Sequence, residues 1–256
     1  MARKDSIEIK KTIPIIRVVG GHFPLPLVMR GPDYFKNVVS ADYCSNPING
    51  TPLVSASFEQ NAELADYALR HKEDSDVASV IDSINGSGKV LTGNSMIVTS
   101  PKRVYFIQFP DRELVEQFGV NNQDYLTRVI DGFDKRLKGS KEQNGVVYGD
   151  GIRAISAKGV PSGEINKRDF KSFPGLVGMV GSLKTAKGIV RAVKEDYALD
   201  PYFSLNVDST NLATRIPVFY SAGFADWLLV YGRRSADLGD RCSFGVSRSA
   251  EGARVK

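Results

Sequence analysis

The chain has 256 residues, of which 42% are hydrophobic and 25% charged, a composition typical of a globular protein. It has no run of about 18 apolar residues, which excludes a membrane span, and its first residues, "MARKDSIEIK", show no apolar signal core. Its two cysteines, Cys44 and Cys242, cannot build a disulfide framework. These features predict a cytoplasmic protein.

Positive charge is concentrated in the second half of the chain. The net charge is +5, made up of −1 over residues 1–128 (14 Lys/Arg, 15 Asp/Glu) and +6 over residues 129–256 (20 Lys/Arg, 14 Asp/Glu). Residues 135–171 alone hold nine Lys/Arg against four Asp/Glu. This asymmetry indicates a polyanion partner, most commonly a nucleic acid, although a basic surface can also serve solubility alone.

The first half of the chain predicts a mixture of strands and helices. A β-branched strand covers 6–19, and helices cover 57–72 and 75–86. Ser57 and Gln60 have the spacing of a capping box at the start of the first helix. Strands follow at 94–100 and 102–109, and further helices at 110–119 and 121–139.

The second half begins with 140–145, which the sequence predicts as a flexible connection. The later predicted elements are a hairpin at 146–156, a basic loop at 158–175, a helix at 182–199, and strands at 203–208, 215–221, 224–232 and 242–248. Strands and helices do not alternate regularly. The sequence therefore predicts a single α+β domain over 1–256, with a largely antiparallel sheet and several flanking helices.

No catalytic motif is present. The glycine-rich stretch "PGLVGMVGSLKT" (174–185) fails as a phosphate-binding loop, because two residues separate Gly181 from Lys184. Its glycines predict a bend or close packing instead. Two distant histidines and two distant cysteines make no metal cluster, so we expect no cofactor and no metal. An enzyme on nucleotides or nucleic acid stays an alternative, and it would use the 174–185 loop or scattered carboxylates.

The helix predicted at 182–199 carries two parallel stripes. One is apolar, and the other consists of four cations one residue further on: Lys184, Lys187, Arg191 and Lys194. Side chains with this spacing keep a fixed direction on a helix. The apolar stripe packs on the domain, and the basic stripe contacts phosphates or stays in water as an ordinary solvated face.

The segment "KRVYFIQFPDR" (102–112) combines cations with aromatic residues. Lys102 and Arg103 can contact phosphates, and Tyr105 or Phe109 can stack on bases, which are the two requirements of single-strand binding. The alternative is a strand buried on both faces. Similar mixtures occur in three other segments: "DYFK" (33–36), "KRDFKSF" (167–173) with Lys167, Arg168 and Lys171, and "VYGRRS" (230–235) with Arg233 and Arg234.

In size, basic balance and these aromatic–cation segments, the chain resembles the single-stranded-DNA-binding RNA polymerase cofactors of short-tailed lytic bacteriophages. The resemblance implies binding to single-stranded DNA with little sequence preference, recruitment of a phage RNA polymerase at opened promoters, and residence in the cytoplasm of the infected host. It assigns no residue, since no diagnostic motif is shared.

The sequence thus leads to one main hypothesis and two alternatives. The main one is a non-enzymatic protein that binds single-stranded nucleic acid, DNA in preference to RNA, as an accessory factor of phage transcription or replication. The alternatives are a nucleotide- or nucleic-acid-processing enzyme and a structural or assembly protein. Apolar strands such as "ADWLLVYG" (225–232) also predict a homodimer or larger homo-oligomer, formed through an exposed strand edge.

Overall fold

The computed structural model describes most of the middle of the chain and parts of both ends. The described residues are 27–29, 53–73, 89–91, 93–158, 160, 162–196, 200–205, 207, 210–222, 227–233, 240–243 and 245–247. The strand predicted at 6–19, the helix predicted at 75–86 and the aromatic–cation segment at 33–36 lie outside them.

Six helices lie in the described part of the chain. They are α1 (Phe58–Arg70), α2 (Arg112–Glu116), α3 (Gln123–Leu137), α4 (Lys167–Phe170), α5 (Pro174–Val180) and α6 (Leu183–Asp196). The predicted capping box is confirmed at α1, where the Gln60 amide donates to Ser57 Oγ (3.2 Å) and the Ser57 amide donates to Gln60 Oε1 (2.8 Å). The predicted cap of α2 is confirmed as well, since Asp111 accepts from the Leu114 amide (2.8 Å).

The strands follow the order of the chain. They are β1 (Leu27–Met29), β2 (Leu53–Ser55), β3 (Lys89–Leu91), β4 (Ser95–Thr99), β5 (Arg103–Gln108), β6 (Glu142–Gln143), β7 (Val146–Gly149), β8 (Ile152–Ser156), β9 (Gly163–Glu164), β10 (Tyr202–Ser204), β11 (Ala213–Ala222), β12 (Trp227–Arg233), β13 (Asp240–Ser243) and β14 (Gly245–Ser247).

One large sheet joins all of these strands except β2 and β14, which pair with each other. Its order is β1-β13-β3-β11-β4-β5-β8-β7-β6; off this path, β12 pairs with β11 and with β10, and β10 pairs with β9. Among the described strand pairs, β10–β12 and β13–β3 are parallel and the rest are antiparallel. The predicted fold class, α+β with a largely antiparallel sheet, is therefore confirmed.

Two local predictions were wrong, and the strand predicted at 224–232 is present as β12. Residues 140–145 are not a flexible connection, because they hold β6 and a tight turn in which Asn144 and Gly145 have positive φ (54° and 74°). The loop predicted at 158–175 contains β9 and α4. The strand predicted at 224–232 offers no free edge at its centre, because β12 pairs with β11 on one side and β10 on the other. Self-association and the strand edge that would mediate it stay predictions.

The sheet is covered by helices on both faces around β5. Helices α1, α5 and α6 contribute to the core on one face, where Val104 and Phe106 are buried. Helices α2 and α3 contribute to the core on the other face, where Tyr105 and Ile107 are buried. Successive strand residues point to opposite faces, so a strand with both faces covered reads as a continuous apolar run. Burial of a residue such as Phe106 contributes about 1.5–3 kcal/mol.

The glycine-rich stretch allows close packing and a bend, as predicted. A Cβ atom added at Gly178 would lie 2.5 Å from the Phe106 ring, so α5 approaches β5 closely only because this residue has no side chain. Gly181 ends α5 in the left-handed conformation, with φ 85°. Ser182 then caps α6 by accepting from the Thr185 amide (3.0 Å). The stretch thus forms helix α5 and the tight turn that joins it to α6.

A buried ion pair ties this helical layer to the sheet. Arg153 on β8 donates to Glu59 of α1 (2.6 Å) and, through Nε, to the Gly178 carbonyl oxygen of α5 (2.8 Å). The Arg153 and Glu59 side chains are both largely buried. Removal of one partner of a buried pair leaves an uncompensated charge and costs about 3–5 kcal/mol. This pair therefore fixes the orientation of β8, whose end contributes to the site described next.

Candidate functional site

A tight turn before β5 positions the first two cations of the candidate site. The Ser100 amide donates to the Arg103 carbonyl oxygen (2.8 Å), and the Arg103 amide donates to Ser100 Oγ (3.0 Å). The Ala157 amide donates to the Lys102 carbonyl oxygen (2.9 Å), which ties the turn to the end of β8. Lys158 follows directly, so cations from two distant parts of the sequence come close together.

Two adjoining depressions open beside this turn. The first, of about 620 Å³, lies against the C-terminal end of α3. The second, of about 520 Å³, lies against the start of α5. They adjoin because four residues line both: Lys102, Arg103, Glu142 and Val147. We call the two depressions together the Lys102 groove.

Positive charge predominates in the Lys102 groove. Its lining cations are Lys102, Arg103, Lys138 and Lys158, and its lining carboxylates are Asp134 and Glu142, which leaves a net charge of +2 (four minus two). Lys138 reaches the groove because α3 ends at Leu137 and the chain turns at Gly139, where φ is 80°. The three lysines are exposed. The groove can therefore attract an anionic ligand.

Arg103 is held in place at the floor of the groove. Its Nη1 donates to Asp134 Oδ1 (2.8 Å), and the Tyr105 hydroxyl donates to the same oxygen (3.0 Å). The Arg103 and Asp134 side chains remain 42% and 49% exposed, so a ligand can reach both. A guanidinium has five N–H donors, and this contact uses one of them. Arg103 is thus oriented by the protein and keeps donors for an anion.

Tyr105 supports this arrangement from the core. Burial, assisted by the hydrogen bond to Asp134 and by its charge, raises the pKa of the Tyr105 hydroxyl well above its ordinary value of about 10. The residue is only 1% exposed, and its ring packs at 5.5 Å from that of Phe133. The prediction that Tyr105 stacks on bases was therefore wrong: the strand is buried on both faces, and its ring is not accessible.

Phe109 is placed differently. It follows the last residue of β5, is 38% exposed and has a left-handed backbone, with φ 48°. Its amide donates to the Asn94 carbonyl oxygen (2.9 Å), which holds this uncommon conformation for a bulky residue. The six residues of β5 separate it from Lys102 by about 20 Å. Phe109 meets the exposure requirement of a stacking residue, but it lies outside the Lys102 groove.

The predicted stripes of α6 are confirmed where the structure describes them. Lys184, Lys187 and Arg191 are exposed, and Ala186 and Val190 are buried. The fourth cation, Lys194, lies in the helix, but its side chain is outside the described residues. We call the three exposed cations the α6 face. Phosphate contact by this face stays a prediction.

The remaining predicted binding residues are dispersed. Arg168 and Lys171, in and just after α4, are exposed, whereas the neighbouring Phe170 is fully buried. The side chains of Lys167 and Arg233 and the whole of Arg234 lie outside the described residues. Of the thirteen predicted residues, the Lys102 groove therefore brings together Lys102, Arg103 and the Tyr105 hydroxyl.

Sequence reasoning assigned no role to several groove residues, Lys138, Lys158 and Phe173 among them, although Phe173 ends the aromatic–cation segment 167–173. Lys138 was part of a helix end, and Lys158 and Phe173 were part of a loop with no assigned contact. One signal pointed to the two lysines: residues 135–171 hold nine Lys/Arg against four Asp/Glu. That excess indicated a basic region but not which cations converge.

The described residues show no group of three or more His, Cys, Asp and Glu side chains that could hold a metal ion. No helix in the same part of the chain is long and apolar enough to span a membrane.

Comparisons with known proteins bear on the fold alone. No family model matches the sequence, and none of the curated proteins does. The structure is similar to a solved structure described as "Accommodation of massive sequence variation in Nanoarchaeota by the C-type lectin fold". The TM-score is 0.50 at 12% sequence identity, and the similarity covers 87% of this chain and 97% of that chain. The α+β arrangement therefore resembles the C-type lectin fold.

Proposed function

We propose that the protein is a non-catalytic binding protein for single-stranded nucleic acid and that the Lys102 groove holds the phosphate backbone. The observation that carries the proposal is convergence: Lys102, Lys138 and Lys158 come from three separate segments and line one concave surface. A concave surface lined by charge of one sign focuses the electric field and attracts a polyanion.

Few carboxylates of the protein compete with a ligand's phosphates for the cations of the groove. Asp134, one of the two lining carboxylates, is paired with Arg103. With the other, Glu142, the groove has two carboxylates against four cations. Phosphate groups therefore meet an excess of donors, and binding by Lys and Arg releases condensed counterions, which favours association at low salt.

The shape of the site favours a single strand over a duplex. Duplex readers insert a helix or a β-ribbon into the major groove. Here the cations line a depression, into which an unpaired strand with exposed bases can lie. A ligand of this kind needs both charge and apolar contact, and the groove offers apolar contact through Ile130, Val147 and Phe173.

The fold is compatible with a binding role. The similar solved structure is described as a C-type lectin fold that accommodates massive sequence variation in Nanoarchaeota. Function on such a scaffold is set by surface side chains rather than by the fold. The proposal accordingly rests on the Lys102 groove. The role of an RNA polymerase cofactor, the bacteriophage setting and the homodimer stay predictions from the sequence.

The experiment is a fluorescence-anisotropy titration of the full chain with labelled oligothymidylate, the matching duplex and the matching RNA strand, each at two salt concentrations. We expect the single DNA strand to bind more tightly than the duplex. We also expect log K to fall with log salt with a slope of about −0.7 for each phosphate contact. Equal affinity for duplex and single strand, or affinity independent of salt, would contradict the proposal.

A further inference from the structure

We infer that the Lys102 groove takes its ligand as a two-nucleotide step, with one base in each depression and the joining phosphate at Lys102 and Arg103. The inference rests on the proposed function and names the unit of ligand that the site recognises.

Each depression is lined by apolar side chains and by one lysine that the other depression lacks. In the first, Ile130, Leu137 and Val147 form the apolar part, and Lys138 supplies the charge. In the second, the apolar residues are Ala154, Ile155, Val160, Phe173 and Pro174, and Lys158 supplies the charge. Either surface suits a planar group that is apolar on its faces and linked to an anion.

The charges between the depressions fix where the anion lies. Lys102 and Arg103 line both depressions, so an anion there contacts the same two cations from either side. Glu142 also lines both, so the charged residues that the depressions share have a net charge of +1, two cations minus one carboxylate. Apolar side chains of each depression thus lie on either side of the two cations that both depressions share. A nucleic-acid strand repeats this order in complementary form as base, phosphate, base.

The two depressions differ in one respect that matters for the bases. Phe173 lines the second depression and packs against the Phe203 ring, with the ring centroids 4.7 Å apart and the rings nearly perpendicular. The apolar side chains of the first depression are aliphatic. Tyr105 also lines that depression, but the residue is buried in the core. A base in the second depression can stack on an aromatic ring, so that depression contributes more to affinity.

The first arm of the experiment tests the phosphate. Labelled oligothymidylate bound to the full chain is displaced with three competitors: the dinucleotide thymidylyl-thymidine, its uncharged methylphosphonate analogue, and thymidine monophosphate. We expect the dinucleotide to compete at least tenfold better than either of the others, on the scale of one charged contact. In the Lys102→Gln variant the advantage over the methylphosphonate shrinks, whereas in the matched Lys135→Gln control, an exposed lysine of α3 outside the groove, it does not.

The second arm tests the two base positions. Ser140→Trp fills the first depression and Ser156→Trp the second, and Thr127→Trp, on the exposed side of α3, is the control. Removing one base from the dinucleotide should weaken binding to the unmodified protein by about 5- to 150-fold, the range that stacking of one base contributes. In each groove variant, removal of one of the two bases should no longer weaken binding, whereas removal of the other base still should. The base concerned should be the 5′ base in one variant and the 3′ base in the other.

The outcomes separate the inference from the proposed function. If oligothymidylate binds but charged and uncharged dinucleotides compete equally, or both tryptophan variants behave like Thr127→Trp, the two-nucleotide step is wrong and single-strand binding stands. If no strand binds, both fail. Should a tryptophan variant lose its folded circular-dichroism spectrum, Lys138→Gln and Lys158→Gln replace it, and unequal loss of the two base penalties is the expected result.

Discussion

The Lys102 groove and the α6 face carry similar numbers of exposed cations but differ in geometry. The groove lysines come from the turn before β5, the end of α3 and the end of β8, and they line one concave surface. The α6 cations, Lys184, Lys187 and Arg191, follow one another along the outer side of a single helix. Low-dielectric walls focus the field in a cleft, whereas charges on a convex helix are screened by solvent. Similar charge therefore predicts different affinity.

The two regions also differ in what lies behind them. Arg103 of the groove is oriented by Asp134, which is in turn held by a buried tyrosine hydroxyl. The α6 face lies one helical stripe away from the buried Ala186 and Val190, and its cations extend into water. A site that is oriented before binding loses less entropy when a ligand arrives. This difference leads to four predictions, from the largest effect to the smallest.

The first prediction concerns the link between the groove and the core. Tyr105→Ala should lower the free energy of unfolding by about 3–5 kcal/mol, because it empties a buried aromatic site. Lys187→Ala on the α6 face should change it by less than about 0.5 kcal/mol. Urea unfolding followed by circular dichroism measures both. A loss below about 1 kcal/mol for Tyr105→Ala would show that the groove floor is not part of the core.

The second prediction concerns binding by the groove. The triple variant Lys102→Gln, Lys138→Gln and Lys158→Gln should weaken binding to oligothymidylate by about 100-fold at low salt, on the basis of about 1 kcal/mol for each lost contact. The log–log salt slope should decrease by about 2, since each phosphate contact contributes about 0.7. Anisotropy titrations at several salt concentrations provide both values. Unchanged affinity in a folded variant would remove the groove from the binding surface.

The third prediction uses pH to test the raised pKa of the Tyr105 hydroxyl, which shares Asp134 Oδ1 with Arg103. Because the pKa of Tyr105 is raised in the folded protein, its contribution to stability is fully present below about pH 10 and is lost as pH rises above that value, where the unfolded chain ionises. Tyr105→Phe should cost about 1 kcal/mol at neutral pH for the lost hydrogen bond. It should also make the fall in stability above pH 10 shallower, by up to about 1.4 kcal/mol per pH unit.

Unfolding by urea at pH 8 and at several values above pH 10 measures that difference. Tyr125 provides the control, since burial raises its pKa to about 12 and it lies outside the groove. Tyr125→Phe should also make the fall shallower, which checks that the measurement detects a raised tyrosine pKa. Parallel pH curves for Tyr105→Phe and the unmodified protein would contradict the assigned pKa shift.

The fourth and smallest prediction concerns the α6 face. The triple variant Lys184→Gln, Lys187→Gln and Arg191→Gln removes as many charges as the groove variant, yet it should weaken binding by threefold or less, on the scale of about 0.6 kcal/mol. The two triple variants are matched in charge, so the same titrations compare them directly. Equal losses would mean that net charge alone determines affinity and would overturn the distinction between the two regions.

Much of the local structure could be predicted from the sequence, because its determinants are close together in the chain. The capping box of Ser57 and Gln60, the cap at Asp111 and the two stripes of α6 depend on spacings of three or four residues. The role of Gly178 and Gly181 in packing and bending followed from their lack of a side chain. The α+β class followed from the order of these elements.

Other features of the site could not be predicted from short spacings along the chain. Alternation along β5 predicted which side chains share a face, but not that helices cover both faces; the tertiary structure therefore decided that Tyr105 is buried and Phe109 exposed. The sequence by itself determined a basic second half and its local helices. Only the pairing of β5 with β8 and the end of α3 bring Lys102, Lys158 and Lys138 to one surface, because contacts between residues far apart in the chain depend on how the sheet and its helices pack.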